Sequence, residues 1–175
     1  DETEGLVYDL GAGAGAAGMC LAARVRGVTV ALVERESTLI DCARQSLARP
    51  ANASFADRIS LIHTDLLAPE KQRAAAGLQR ERAAAVIMNP PYWSPDEVRV
   101  TPNVAKAGAH VLADGGLDAW VRVATSLIRP GGRIAIIFRA DRLLALLQTL
   151  EGRFGAADIV PLHPRAGEAA IRVVV

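Results

Sequence analysis

VIMNPPYW, residues 86–93, sets a polar amide and two prolines directly after an apolar run. Proline has no amide donor and cannot continue a central strand, so the chain must leave its sheet here. Each proline also biases the residue before it toward extended backbone, which stretches out Asn89 and Pro90. The segment Asn89-Pro90-Pro91-Tyr92 therefore carries two fixed acceptors, the Asn89 side-chain oxygen and the Pro90 carbonyl. Acceptors set in place before a ligand arrives are the raw material of electrostatic catalysis on a group that brings N–H donors. Tyr92 and Trp93 add flat faces on which a planar group can stack.

A second cluster lies near the start, Asp9-Leu10-Gly11-Ala12-Gly13-Ala14-Gly15. Alternating glycines let the backbone turn sharply and let a ligand approach with no Cβ in the way. Glu34 closes the next apolar run, at roughly the 20-residue offset where an acid meets the ribose hydroxyls of an adenosine cofactor. Nicotinamide-binding enzymes share that pattern, but here the third glycine of G-x-G-x-x-G would fall on Ala16. A turn that needs glycine for packing alone is the plain alternative. His63-Thr64-Asp65-Leu66 ends a third apolar run, and Asp65 can accept a hydrogen bond from an adenine amino group at the same rim.

These residues need elements to hold them. Leu6–Leu10 reads as a buried strand, Gly11–Gly18 as a turn into a helix, and Gly15–Val25 as that helix. Val28–Val33 is a continuous β-branched run, the mark of a parallel strand covered on both faces. Ser37–Leu47 has helical spacing, Ile59–His63 is a third strand, and residues 69–83 form a loop with a helical piece. Ala84–Met88 is the fourth strand, followed by a long loop over 94–112. A helix runs from Leu117 to Ile128, is broken by Pro130-Gly131-Gly132, and gives way to a strand at Arg133–Phe138. Leu143–Leu150 is helical, with strands at Asp158–Leu162 and Ala170–Val175. Such alternation predicts a doubly wound Rossmann-like α/β sheet of seven strands, mostly parallel with an antiparallel last strand. In such sheets ligands bind beyond the carboxyl ends of the strands, where the glycine turn and Asn89 both fall.

The 175 residues suit one domain, and 51% hydrophobic residues with a mean hydropathy of +0.21 suit a core-rich globule. No stretch reaches the roughly 18 apolar residues of a membrane span. A net charge of +1 imposes no global basic field. His63, His110 and His163 are scattered, and Cys20 and Cys42 lack metal-ligand spacing, so no metal is expected. Both cysteines and Trp120 read as buried packing residues, and a reducing, cytoplasmic setting fits. The opening at Asp1 and the ending inside a strand at Val175 suggest a piece of a longer chain.

D-x-G-x-G-x-G, the acid after strand two, Asp65 after strand three, NPPY after strand four and P-G-G before strand five come in a familiar order. Together they resemble the Rossmann-like S-adenosylmethionine-dependent methyltransferases that act on amino groups, over essentially the whole chain. The resemblance implies S-adenosylmethionine as cofactor, held by Asp9, Gly11, Gly13 and Gly15, by Glu34 at the ribose, by Asp65 and Leu66 at the adenine, and by Asn89. It implies Asn89, Pro90, Pro91 and Tyr92 as the catalytic set for a planar, conjugated nitrogen. The short chain, the stretch Asn103–His110 and the ending LHPRAGEAAIRVVV are similar to the bacterial tRNA adenine-N6 methyltransferases that modify an adenine beside the valine anticodon. That implies tRNA or another RNA as partner, contacted by Tyr92, Trp93, Lys106, Arg139 and Arg165. A protein glutamine methyltransferase, a catalytically silent cofactor-binding module and a nicotinamide oxidoreductase are the competing readings.

Overall fold

Val28, Val30, Ala31, Leu32 and Val33 are all buried, as an apolar run covered on both faces requires. They belong to β2 (Val28–Glu34), which lies between β1 (Gly5–Leu10) and β3 (Ile59–His63), parallel to both. The computed structural model describes residues 4–91 and 116–175. Among these residues a seven-stranded sheet runs in the order β3-β2-β1-β4-β5-β7-β6, with β4 (Ala83–Met88), β5 (Ile128–Arg139), β6 (Val160–Leu162) and β7 (Arg172–Val174). β1 and β4 are parallel, whereas β7 is antiparallel to both β5 and β6. The expected doubly wound, mostly parallel sheet with an antiparallel last strand is the observed one.

The helices follow the apolar spacing. α1 (Ala16–Arg24) buries Gly18, Met19 and Ala22, and α2 (Ser37–Leu47) buries Ile40 and Ala43. Met19, Ala22 and Ala43 join Val7, Val28, Val30, Leu32 and Phe55 in one core cluster. Cys20 and Cys42 are exposed rather than buried. Each sits one residue away from a buried position, and the helical step of about 100° turns it off the apolar stripe. Two short elements carry little periodic signal, α3 (Ala53–Ala56) and α4 (Glu70–Ala75). Beyond them lie α5 (Gly116–Leu127), which buries Val121, Ala124 and Leu127 and leaves Trp120 only half-buried, and α6 (Leu143–Leu150).

β5 starts before Pro130-Gly131-Gly132 instead of after it. A Cβ on Gly132 would stand 2.8 Å from the Ala84 carbonyl, so glycine lets this stretch lie against β4 and extend the strand backward. The predicted loop over 94–112 lies outside the described residues.

The packing divides the chain into two compact units, Asp1–Met88 with Val123–Ala135, and Asn89–Arg122 with Ile136–Val175. The first holds β1 to β4 and the core cluster around α1. In the second, Ile136, Phe138, Leu146, Leu150 and Val173 are buried. No helix among the described residues is long and apolar enough to cross a membrane.

Candidate functional site

The register of the first unit aligns its carboxyl ends. Leu10 pairs with Val33 on one side and with Met88 on the other, and Glu34 pairs with His63. Gly11, Glu34 and Thr64-Asp65 thus leave one edge of the sheet, and Asn89 is the residue that follows Met88.

Asp9, the penultimate residue of β1, is 3% exposed. Its Oδ2 accepts the Gly18 N–H at 2.8 Å, which ties the strand to the first turn of α1. Burial pushes its carboxyl up to about 6; the Gly18 hydrogen bond opposes that rise, and the Glu34 charge adds to it. After Leu10, the Gly11 and Ala12 amides both donate to the Val33 carbonyl, at 2.9 and 3.0 Å, and fix the turn on β2. Gly11, Gly13 and Gly15 all take left-handed backbone. At Gly13 a Cβ would meet nothing within 4 Å, so this face of the turn is open. Gly18 is the opposite case: its Cβ would stand 2.4 Å from Leu32 Cδ2. The close helix–strand approach expected of a third fingerprint glycine is made by Gly15 and Gly18, not at position 16.

Glu34 is 8% exposed and accepts three backbone N–H groups. Oε2 takes Gly13 at 2.8 Å, while Oε1 takes Arg35 at 2.8 Å and Glu36 at 2.9 Å. His63 Nε2 lies 2.9 Å from the Arg35 carbonyl and braces the same turn. Asp65 is exposed, with Oδ1 accepting the Leu67 N–H at 2.8 Å, and Leu66 is buried.

Asn89 is exposed, Pro90 buried and Pro91 half-buried. Tyr92, Trp93 and Lys106 lie outside the described residues. In the second unit Arg139 closes β5 and chelates Asp141, Nε to Oδ1 at 2.8 Å and Nη2 to Oδ2. That hydrogen bonding holds the Asp141 carboxyl below its ordinary value. Arg165 is exposed and pairs with Glu168 at 3.3 Å. Among the predicted residues, then, direct hydrogen bonding joins Gly13 to Glu34, and the same edge carries Asp9, Gly11, Gly15, Asp65 and Leu66. Gly18 and His63 are the participants that sequence reasoning missed. A signal for Gly18 was its place three residues beyond Gly15, one helical turn into α1.

The open face of Gly13, beside the Glu34 carboxylate and one strand from the Asp65 carboxylate, suits a ligand with hydroxyl and amino donors. No group of three or more His, Cys, Asp or Glu among the described residues could hold a metal ion. The family model for the methyltransferase small domain matches residues 1–163. This chain belongs to that family. It is an S-adenosylmethionine-dependent methyltransferase, and the acceptors at the sheet edge fit the hydroxyl and amino donors of that cofactor. A predicted O-methyltransferase from Agrobacterium tumefaciens is similar at 36% identity, over 99% of this chain and 73% of that one, with a TM-score of 0.80. The fold is shared with an rRNA methylase from Streptococcus thermophilus, at 16% identity over 99% and 87% of the two chains and a TM-score of 0.61. TrmN from Thermus thermophilus shares it too, at 17% identity over 98% and 43% and a TM-score of 0.63. No curated protein matches.

Proposed function

We propose that this methyltransferase modifies a planar amino nitrogen, and that its substrate is the N6 of an adenine in tRNA. The observation that carries the reading is Asn89-Pro90-Pro91-Tyr92, placed immediately after the strand whose last residue, Met88, pairs with the foot of the glycine turn. An adenine amino nitrogen has a delocalised lone pair and attacks poorly. The Asn89 side-chain oxygen and the Pro90 carbonyl accept its two hydrogens, which favours pyramidal nitrogen and localises the pair. The prolines hold these acceptors in place beforehand, so the protein does not have to reorganise as charge develops. Tyr92 stacks on the base once it is out of its helix, worth roughly 1–3 kcal/mol, and Trp93 extends that surface.

S-adenosylmethionine supplies an electrophilic methyl group on a positively charged sulfur. In this reading Gly11, Gly13 and Gly15 hold its methionine part against Asp9, Glu34 takes the ribose, Asp65 and Leu66 border the adenine, and Asn89 touches both ligands. Holding the nitrogen in line with the methyl provides the proximity contribution, worth several kcal/mol. Lys106, Arg139 and Arg165 contact phosphates, which position RNA without reading its sequence. Residues 1–175 belong to a single methyltransferase domain, and its setting in this reading is the cytoplasm.

The Agrobacterium tumefaciens relative, a predicted O-methyltransferase, supports a second reading, an oxygen acceptor. One experiment separates the two. Unmodified total tRNA is incubated with the protein and S-adenosylmethionine carrying a labelled methyl group, and the digested nucleosides are weighed, with Asn89→Ala in parallel. Label in N6-methyladenosine that disappears in the variant is the expected result. Label on a ribose oxygen would favour the second reading, and unlabelled RNA would point to a protein glutamine amide or a non-catalytic module.

A further inference from the structure

The two edges of the first unit's sheet carry opposite charge. Asp9, Glu34 and Asp65 lie at the carboxyl ends of the strands. At the amino ends, Arg82 directly precedes β4, and Arg129 and Arg133 lie in the first half of β5. The backbone brings these three together. The Arg82 N–H donates to the Leu127 carbonyl at 3.0 Å, two residues before Arg129. Gly132, beside Arg133, lies so close to β4 that a Cβ there would stand 2.8 Å from the Ala84 carbonyl. All three arginines are exposed, and none has an ion pair or a side-chain hydrogen bond among the described residues. Two carboxylates belong to the same region. Glu70 is taken by Arg80 at 3.1 Å, and Glu81 is exposed between Arg80 and Arg82. The cluster is therefore net positive, which the +1 of the whole chain conceals. Arg139 and Arg165, by contrast, already hold Asp141 and Glu168.

We propose that Arg82, Arg129 and Arg133 form a second RNA contact, which binds phosphates of the tRNA at the sheet edge opposite the glycine turn. The proposal rests on the tRNA substrate proposed above and extends it. A guanidinium with no carboxylate partner takes a phosphate without first giving up an ion pair. The six residues of β4 span about 20 Å, which matches about six stacked base pairs at roughly 3.4 Å each. A phosphate held before β4 is that far from an adenine held beyond Met88. The ligand is thus a folded RNA and not a nucleotide or a short oligomer. Such contacts fix the orientation of the RNA without reading its sequence.

Fluorescence anisotropy of unmodified total tRNA, titrated with the wild-type chain between about 50 and 200 mM salt, tests this. Each phosphate contact adds roughly 0.7–0.9 to the slope of log affinity against log salt. The combined variant Arg82→Gln, Arg129→Gln, Arg133→Gln should lower that slope by roughly two to three and weaken binding about tenfold or more at about 100 mM salt. The KM for tRNA should rise with it, while kcat at saturating tRNA and affinity for S-adenosylhomocysteine stay within about twofold of wild type. The three lysine substitutions at the same positions keep the charges and should keep the slope to within about one. Wild-type slope and affinity in the glutamine variant would overturn the proposal and leave the tRNA substrate standing. Equal losses in the glutamine and lysine variants would assign the arginines to the fold and also overturn it. A wild-type chain that binds no tRNA at any of these salt concentrations would remove the tRNA substrate and the proposal together. Melting curves accompany the titrations, and each single glutamine substitution should still lower the slope by roughly 0.7–0.9 if the combined variant fails to fold.

Discussion

The Gly13 N–H donates to Glu34 Oε2 at 2.8 Å, so the apex of the turn after β1 and the acid that closes β2 form one hydrogen-bonded unit. The amide can reach that oxygen because Gly13 holds a φ of +58°, a conformation that costs other residues about 1–2 kcal/mol. The turn is therefore shaped by a contact 21 positions away in the chain as much as by its own glycines.

Substitutions at Gly13 and Gly18 should separate binding from folding. Alanine at Gly13 meets no neighbour within 4 Å, so Gly13→Ala should cost only about 1–2 kcal/mol of stability. Its methyl group enters the open face, and affinity for S-adenosylmethionine should fall by about tenfold or more. Alanine at Gly18 would stand 2.4 Å from Leu32 Cδ2 and 3.0 Å from both Asp9 Oδ2 and Val30 Cγ1, so the buried Leu32 side chain would have to shift. Overpacking of this kind costs about 1–3 kcal/mol or more. Urea unfolding should therefore rank Gly18→Ala well below Gly13→Ala, with cofactor titration of the folded proteins giving the larger defect to Gly13→Ala. Equal unfolding midpoints would contradict the packing argument.

Asp9 gives stability a defined pH dependence. Its carboxyl is raised from 3.8 to about 6, chiefly by burial, so between those values the folded protein holds a proton that the unfolded chain has released. The folded state binds more protons there, and stability must fall as pH rises. The contribution is fully present below about 3.8 and is lost as pH rises through about 6. Its size is at most about 3 kcal/mol, from roughly two pKa units at 1.36 kcal/mol each. Asp9→Asn cannot ionise and should lack it. Relative to that variant, wild type should gain about 2 kcal/mol when the pH is lowered from 8 to 4.5, measured by urea unfolding. Parallel pH profiles for the two proteins would show that Asp9 ionises in the fold as it does in the open chain.

What the sequence made legible follows from which forces are local. Ser37–Leu47, Ile59–His63 and Leu143–Leu150 were read with the boundaries observed, because apolar periodicity and flanking polar residues define such elements without help from elsewhere. β5 began earlier than its Pro130-Gly131-Gly132 signal implied, because the fit of Gly132 against the Ala84 carbonyl is a tertiary fact. α3 is too short for a period to register, although Phe55 on it is buried. At the candidate site, the turn that joins Gly13 to Glu34 was legible because alternating glycines followed by an acid about 20 residues on form a local spacing signal. His63 was passed over as one of three scattered histidines, since only the β2–β3 register sets it opposite Glu34. Cys20 and Cys42 were misplaced for a related reason: residue type favours burial, but position on the helix decides it.

Arg58 holds the far end of α1. Its guanidinium donates to the Ala22 carbonyl, to Val25 at 2.9 Å and to Val28 at 3.0 Å, all at or just beyond the carboxyl end of the helix. The last carbonyls of a helix lack intrahelical donors, and a cation there also complements the helix dipole. Arg58→Ala should lower stability by about 1–3 kcal/mol. Arg58→Lys should recover only part of that, because one ammonium cannot reproduce the planar fork. Cofactor affinity of the folded variant should stay within about threefold of wild type, since the glycine turn sits at the other end of α1. A large loss of affinity without a loss of stability would mean that α1 transmits strain to the turn.

Asn89 tests whether the segment after β4 acts in chemistry or only ends a strand. It is exposed, whereas Pro90 beside it is buried, so truncating the Asn89 side chain removes little packing. Asn89→Ala should remain folded, with a melting temperature no more than about 6 °C below wild type, in line with the loss of at most one hydrogen bond of about 0.5–1.5 kcal/mol. Under the proposed role it removes an acceptor that counts most as the amino nitrogen becomes pyramidal. Loss of one preorganised partner of this kind lowers kcat by roughly 10²–10³. Cofactor affinity should change by no more than several-fold, because Asn89 is only one of several proposed cofactor contacts. Single-turnover rates with saturating tRNA, set beside cofactor titrations, make the comparison. A variant that binds cofactor normally and transfers methyl at the wild-type rate would reduce Asn89-Pro90-Pro91 to a strand terminator and return the choice of acceptor to the oxygen reading.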